Sequence, residues 1–555
     1  MLKRIVWLVS TAIAALPFAT SPATAQPAPA ADASVSVPRE VLERYVGRYE
    51  LNGTTVTVGV TDDGRLTAQL AGQPLGPPLR TVSANEFVAD AVGVRLSFEG
   101  EGPKATRIRS LYNGSVVVGT RLTDGAVVAQ PASQPPGPAP TSLDAAHRQA
   151  VVTQLATALR DRYVFPDVGE QAAARIGAAL AAGEYDGLSD PGAFAARLNA
   201  DIEAIAKDKH LRIGGGTPPP PQAGQAPPAP PPPSEAGVVR ADKLAGDIGY
   251  IEVIGFPPPQ AFKPALDRAM AALDGSKALI IDVRRNGGGA PPSVAYLVSF
   301  LLAADQRVHI NDIVGRVAGT NEFTRQSSYS EPTPVNFAGK PVYVLTSTRT
   351  FSGGEEFAYD VKALGRAVLV GELTGGGANP TGGVPLPHGI RASIPFGRAE
   401  NPITKTNWEG HGVDPDVAVP AADALRVALE RLGAEPVADI AAASRERVFA
   451  PRAEPLPGTE AAVRSLVAGL TSGTPDYAAM APQFADVTRQ QLPGMQRLFA
   501  PLGELKSVTY REPGMMGGDA YDVVFANGGL IMGVALGPDG KILGANIVPG
   551  APAGS

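Results

Sequence analysis

The stretch Ala278-Leu279-Ile280-Ile281-Asp282-Val283-Arg284-Arg285-Asn286-Gly287-Gly288-Gly289 decides how this chain is read. Its apolar opening carries one polar residue, Asp282, and no apolar–polar alternation. Such a run predicts a strand covered on both faces, as in a parallel sheet. The three glycines that close it predict a turn whose backbone another segment can approach closely.

Working outward, the chain alternates strand and helix. Residues 248–254 read as a strand, Phe262, Leu266, Met270 and Leu273 as one helix face, and the segment after the glycine turn as an apolar helix through Leu302. Residues 342–347 form a further apolar strand, 353–364 a helix and 367–370 another strand. This alternation implies parallel pairing through right-handed crossovers, with ligands at the carboxyl ends of the strands. The glycine turn and the turn holding Ser352 both follow such ends, so they are expected to face one cleft.

Upstream, Val151, Leu155 and Leu159, then Phe194, Leu198 and Ile202 behind Asp190-Pro191, carry helical spacing with a cap-and-first-turn pair. Residues 36–128 show short alternating runs between Asn-Gly and Asp-Gly turns, the pattern of a small antiparallel β domain. Residues 129–141 form a Pro-rich linker, and the proline-dense loop 214–237 has no core-forming residues. Residues 436–555 combine two partly helical runs with three strand-like ones, an α+β roll of cystatin-like shape. The fold class is therefore multidomain, α/β and α+β. It has a small antiparallel β domain, a central unit at 142–435 (a helical subdomain plus a βαβ mixed sheet), and a C-terminal α+β roll.

Composition narrows the chemistry. The 555 residues carry 48 Lys and Arg against 54 Asp and Glu, which argues against a nucleic-acid binder. Cysteine is absent, removing disulfides, thiolate nucleophiles and cysteine zinc sites together. Residues 1–25 open with Lys3 and Arg4, run apolar to Phe18 and end Ala23-Thr24-Ala25, the layout of a secretory signal peptide; a retained anchor is the competing reading. The expectation is an exported protein, periplasmic or extracellular, with no stable membrane insertion after signal removal.

Five histidines exist: His147, His210, His309, His388 and His411. Ser352, in Thr350-Phe351-Ser352-Gly353-Gly354-Glu355, would present its hydroxyl at a sheet's edge with helix amides behind it. The N–H of Gly353 would point where an oxyanion forms, and Gly287 or Gly288 would supply a second donor. The competing reading is a capping box, in which Ser352 and Glu355 merely satisfy helix amides. Asp282 reads as an anchor of the glycine turn more than as a catalytic acid, and Glu372 as part of a substrate-channel loop or a cleft acid.

Four segments stand in order: Asp208-Lys209-His210, Ile281 to Gly289, Thr350 to Glu355, and Trp408-Glu409-Gly410-His411-Gly412-Val413-Asp414-Pro415-Asp416, with Gly371-Glu372-Leu373-Thr374-Gly375-Gly376 before the last. Together they resemble the tail-specific and tricorn-like serine peptidases of the C-terminal processing peptidase superfamily, in the branch similar to interphotoreceptor retinoid-binding protein. The resemblance covers roughly residues 142–432. It implies Ser352 as nucleophile, His210 as general base, Glu409 as the acid that orients it, and an oxyanion site at Gly353 with Gly287 or Gly288. The Ser–Lys dyad of the processing branch is not implied here: its lysine position falls near Gly377, and the nearest lysine is Lys362. Lys209 and Leu211 depart from the family's usual flanks of the histidine, and a cation there is expected to lower the His210 pKa. His411 is a rival base. His147, His309 and His388 read as structural.

The resulting expectation is an exported serine peptidase working through an acyl-enzyme on peptide or unfolded protein, with no cofactor, no metal and no nucleic acid. The oligomeric state is left open. Two alternatives stand beside it: a catalytically silent protein binding peptides or apolar ligands on the same fold, and an esterase-type acyl hydrolase.

Overall fold

The computed structural model describes residues 37–123, 142–214 and 233–549, apart from short segments at 52–53, 62, 71–72, 75–77, 90–93, 113–114, 515–516 and 538. The signal peptide, the linker at 129–141, most of the Pro-rich loop and the tips of the Asn52-Gly53 and Asn113-Gly114 turns lie outside the described residues.

After a short helix α1 (Arg39–Glu43), nine strands form one antiparallel sheet: β1 (Gly47–Leu51), β2 (Thr54–Val60), β3 (Leu66–Leu70), β4 (Gln73–Pro74), β5 (Arg80–Ser83), β6 (Glu86–Ala89), β7 (Val94–Glu99), β8 (Arg107–Tyr112) and β9 (Ser115–Arg121). Their order, β4-β3-β2-β1-β9-β8-β7-β6-β5, is a meander folded back so that its first long strand pairs with its last. Tyr45, Tyr49, Phe87 and Phe98 form its aromatic core.

Three helices follow, α2 (Ala145–Arg162), α3 (Pro166–Ala181) and α4 (Pro191–Glu203). The expected α2 and α4 faces are buried through Val151, Leu155, Leu159, Phe194, Leu198 and Ile202, and Asp190 caps α4 by accepting from Ala193 N–H at 2.7 Å. The sequence reading omits α3. Its buried face is formed by Gly169, Ala172, Ala173, Ile176 and Ala179.

The central sheet is mixed. Its strands are β11 (Val238–Leu244), β12 (Ile248–Val253), β13 (Ala278–Asp282), β16 (Val342–Thr346), β17 (Val368–Gly371), β21 (Val417–Ala418) and β22 (Ser444–Phe449), in the order β21-β17-β16-β13-β12-β11-β22. The pairs from β12 through β21 are parallel, and β11 and β22 are antiparallel. Helices α5 (Pro259–Ala272), α6 (Pro291–Ser299) and α7 (Gly353–Ala363) cover one face around Phe262, Leu297 and Phe357, and α8 (Ala424–Arg431) covers the other. β12 and β13 are buried at every residue, as the lack of alternation in the sequence requires. A further short helix, α9 (Ile440–Ala443), precedes β22, so the sheet takes its last strand from beyond residue 435.

Two small sheets flank this layer: β10 (Arg212–Gly214) with β18 (Thr381–Pro385) and β19 (Arg391–Pro395), and β14 (His309–Arg316) with β15 (Phe323–Tyr329) and β20 (Gly397–Glu400). The C-terminal unit packs α10 (Thr459–Ser472) and α11 (Pro482–Phe499) on an antiparallel meander of β23 (Leu505–Pro513), β24 (Asp519–Phe525), β25 (Gly528–Leu536) and β26 (Ile542–Pro549). That is four strands rather than the three expected, because the Gly518 region separates two strands that read as one.

Candidate active site

Ser352 stands between β16 and α7 with φ 53° and ψ −120°, a left-handed backbone that a residue with a Cβ adopts only under strain of about 1–3 kcal/mol. The strain is held by Glu355. Its buried carboxylate accepts from the Ser352 N–H at 2.9 Å, Thr374 Oγ1 at 2.5 Å, Gly376 N–H at 2.6 Å and Gly377 N–H at 2.9 Å. Burial raises the Glu355 pKa, and these donors oppose the rise. Glu355 therefore does more than cap a helix: it fastens loop 374–377 to the serine turn. The sequence reading missed this role because a capping glutamate and a buried hub look alike in one dimension.

The glycine turn lies against Ser352 as expected. A Cβ on Gly288 would stand 2.6 Å from the Ser352 Cβ, and Gly288 has φ +106°. Asn286 shapes the turn: its backbone oxygen accepts from Phe351 N–H at 2.9 Å, its Nδ2 donates to Val253 O at 3.0 Å, and its Oδ1 accepts from Gly288 N–H at 2.8 Å. The Gly288 amide thus has a protein acceptor, while Gly287 N–H reaches Ile254 O at only 3.3 Å. Gly353 opens α7, where the first amides have no intrahelical acceptor.

His210 approaches from β10's side of the cleft. Its ring packs on Phe351, beside Ser352, at 4.8 Å between centroids. Gly377 makes the approach possible, since a Cβ there would stand 2.7 Å from His210 Cε1 and 2.4 Å from Phe351 Cζ. Among the described residues no hydrogen bond joins His210 to Ser352, and His210 Nδ1 is buried without an acceptor or donor. Burial lowers the His210 pKa; Asp208 pulls it up and Arg212 pushes it down. The expected lowering is present, but burial dominates and the cation responsible is Arg212, not the exposed Lys209.

Glu409 closes the cluster. One oxygen accepts from Lys209 N–H at 3.0 Å, the other from Ala378 N–H at 2.6 Å and Asn379 N–H at 3.2 Å. Burial and the Asp208 charge raise its pKa against those donors. Ligand-type atoms of Asp208, His210 and Glu409 all lie within 4.8 Å of one another, close enough for the charges to act on each other and, by spacing, for a cation. Asp208, quoted in the motif but given no role, orders the histidine loop. It accepts from His210 N–H at 3.0 Å, Tyr163 OH at 3.1 Å and Asn379 Nδ2 at 2.9 Å.

The other candidates are engaged elsewhere. His411 bonds Asp414 at 2.8 Å on the surface, and His309 bonds Asp312 at 2.7 Å while stacking on Tyr329. His147 caps α2 with Asp144 and touches the ring of His388. Asp282 holds Tyr250 OH at 2.7 Å and the Arg284 side chain, the anchoring role expected of it. Glu372 bridges Thr348 N–H and Ala421 N–H, and Lys362 pairs with Asp416 at 3.1 Å. Among the described residues no helix is long and apolar enough to cross a membrane.

A strained serine at a strand-to-helix turn, with a glycine turn and helix amides beside it, is the arrangement of an acyl-transfer hydrolase. Residues 247–419 match the profile of peptidase family S41, and residues 145–239 match that of the N-terminal domain of Peptidase_S41 in eukaryotic IRBP. These residues carry a peptidase family S41 domain with its N-terminal companion, and the chain is a serine peptidase, acting on peptide or protein. Similar solved structures include a candidate peptidase from Parabacteroides merdae (19% identity, 54% of this chain and 96% of that one, TM-score 0.37). They also include the photosystem II D1 C-terminal processing protease (17% identity, 50% and 94%, TM-score 0.34) and the tricorn protease (12% identity, 71% and 46%, TM-score 0.33).

Proposed function

We propose that the chain is an exported serine peptidase in which Ser352, His210 and Glu409 carry acyl-enzyme chemistry. The observation that carries this reading is the packing of His210 on Phe351, one residue from Ser352, with Glu409 gripping the peptide just before the histidine. Ser352 Oγ attacks the scissile carbonyl and gives its proton to His210, which returns it to the leaving amine; water then releases the acyl group by the same path in reverse. The Gly353 N–H at the positive end of α7 receives the oxyanion. Of the two turn amides, Gly287's long bond to Ile254 makes it the easier to exchange toward substrate. Asp208 and Glu409 hold the backbone at His210 and Lys209, and the Asp208 charge favours the cationic imidazole.

Export rests on the amino-terminal layout of residues 1–25. The test of the chemistry is labelling with a fluorophosphonate probe alongside casein hydrolysis. Ser352→Ala should lose both, with the melting temperature retained. Undiminished labelling overturns Ser352 as nucleophile, and saturable casein binding by the unaltered chain without turnover replaces the reading with a silent binding protein.

A further inference from the structure

A second cavity, of about 620 Å³, lies between the edge of the central sheet and the C-terminal unit. It is bounded on one side by β11, β12 and the segment after β22, and on the other by the end of β23. Its lining carries five arginines, Arg240, Arg285, Arg447, Arg452 and Arg511, against two glutamates, Glu252 and Glu512, in a chain whose net charge is −6. Most of these guanidinium groups have carboxylate neighbours, so what the cavity offers a small anion is the donor edges those pairs leave free.

The guanidinium groups are not equivalent. Arg452 is spent on structure: it reaches Glu235, Asp519 and the carbonyls of Glu454 and Gly518. Arg240 gives Nε and Nη2 to the fully buried Asp242, and Arg285 gives the same two nitrogens to the buried Glu252. Each therefore stands fixed with Nη1 unpaired among the described residues. Arg511 gives Nη1 to Asp522 at 2.9 Å. Arg447 donates only to the Val239 carbonyl, at 3.1 Å, and has no carboxylate within ion-pair range among the described residues. Arg511 Nε also stands 3.5 Å from Glu512 Oε1, so buried carboxylates orient two forks, surface carboxylates hold Arg511, and Arg447 adds a charge with no carboxylate of its own among the described residues. This is the donor set that recognises phosphate or carboxylate oxygens in pairs.

We infer that this cavity is a binding site for a small polyanion bearing phosphate or carboxylate groups. Its volume suits a compact ligand. The site stands next to the catalytic cleft, because Arg285 lies two residues before Gly287 in the glycine turn and lines a smaller hollow of about 360 Å³ together with Arg349 and Glu372.

The test is calorimetric titration of the full chain with pyrophosphate and with citrate at fixed ionic strength. Saturable one-to-one binding of either supports the site and tells phosphate from carboxylate preference. Arg447→Ala and Arg511→Ala should each weaken it roughly tenfold or more, the loss expected for one charge-assisted bond, without changing the melting temperature of the unliganded chain. Arg445→Ala, exposed on β22 but outside the cavity, should bind as the parent does. The inference is overturned if neither anion binds saturably, if Arg447→Ala and Arg511→Ala bind like the parent, if Arg445→Ala loses as much, or if only an acidic peptide binds.

Discussion

At the scale of single residues the candidate site depends on what is missing from Gly377 as much as on what His210 carries. Gly377→Ala puts a methyl group 2.7 Å from the His210 ring and closer still to Phe351, so the imidazole must move. A shift on the order of 1 Å costs catalysis about a hundredfold. Steady-state kinetics should show the fall mainly in kcat, with the fold intact by circular dichroism. His210 also fixes the pH response. Its pKa is lowered by burial, so the neutral, proton-accepting form persists below the usual imidazole range. The acid limb of kcat/KM should therefore fall at a pH below 6.5, and Asp208→Asn, which removes the charge holding that pKa up, should move the limb further toward acid. Ser352 and the glycine turn were legible in the sequence because turn chemistry is local. The parts played by Asp208, Glu355 and Gly377 were not, because each acts through residues distant in the chain: Asp208 through Tyr163 and Asn379, Glu355 through loop 374–377, Gly377 through His210.

At the scale of the element, α7 holds a second tension. Glu356 and Asp360, one turn apart and both buried, accept from the Asn311 and Asn401 amides, and among the described residues Asp360 Oδ2 has no donor. Burial pushes the Glu356 carboxyl up to about 7, and burial together with Glu356 pushes Asp360 up as well. A carboxyl whose pKa is raised in the fold binds its proton more tightly there than in the unfolded chain. Stability is then fullest below the unfolded value near 4.5 and declines as pH rises toward and past 7. The decline should amount to about 3 kcal/mol. Glu356→Gln keeps an acceptor for Asn311 and removes the charge, so thermal melts should show a smaller loss between pH 5 and 8 than in the parent. An equal loss would place the proton elsewhere.

At the scale of the whole molecule, Arg452 joins units that the linear sequence separates. It contacts Glu235 beside the central sheet and the fully buried Asp519 of β24, and Tyr510 OH donates to its carbonyl at 2.9 Å. Arg452→Ala leaves a buried carboxylate without its cation, a change worth about 3–5 kcal/mol when a buried pair is broken. The melting transition should fall or split, and limited proteolysis should cut between β22 and α10. If the transition is unchanged, the C-terminal unit docks by its other contacts.

The chain's local patterns were enough to determine four of the parallel strands, the three helices on one face and the two turns at the strand ends, because burial on both faces, 3.6-residue spacing and glycine leave a direct trace in composition; the short β21 and the helix α8 on the other face were not read. The convergence of His210 and Glu409 was expected only through resemblance. Tertiary structure decided that the histidine rests on Phe351 through a glycine gap, that one turn amide is already taken by Asn286, and that five arginines meet across two units. Contacts between residues a hundred or more positions apart are set by how layers pack, and no periodicity in the chain records them.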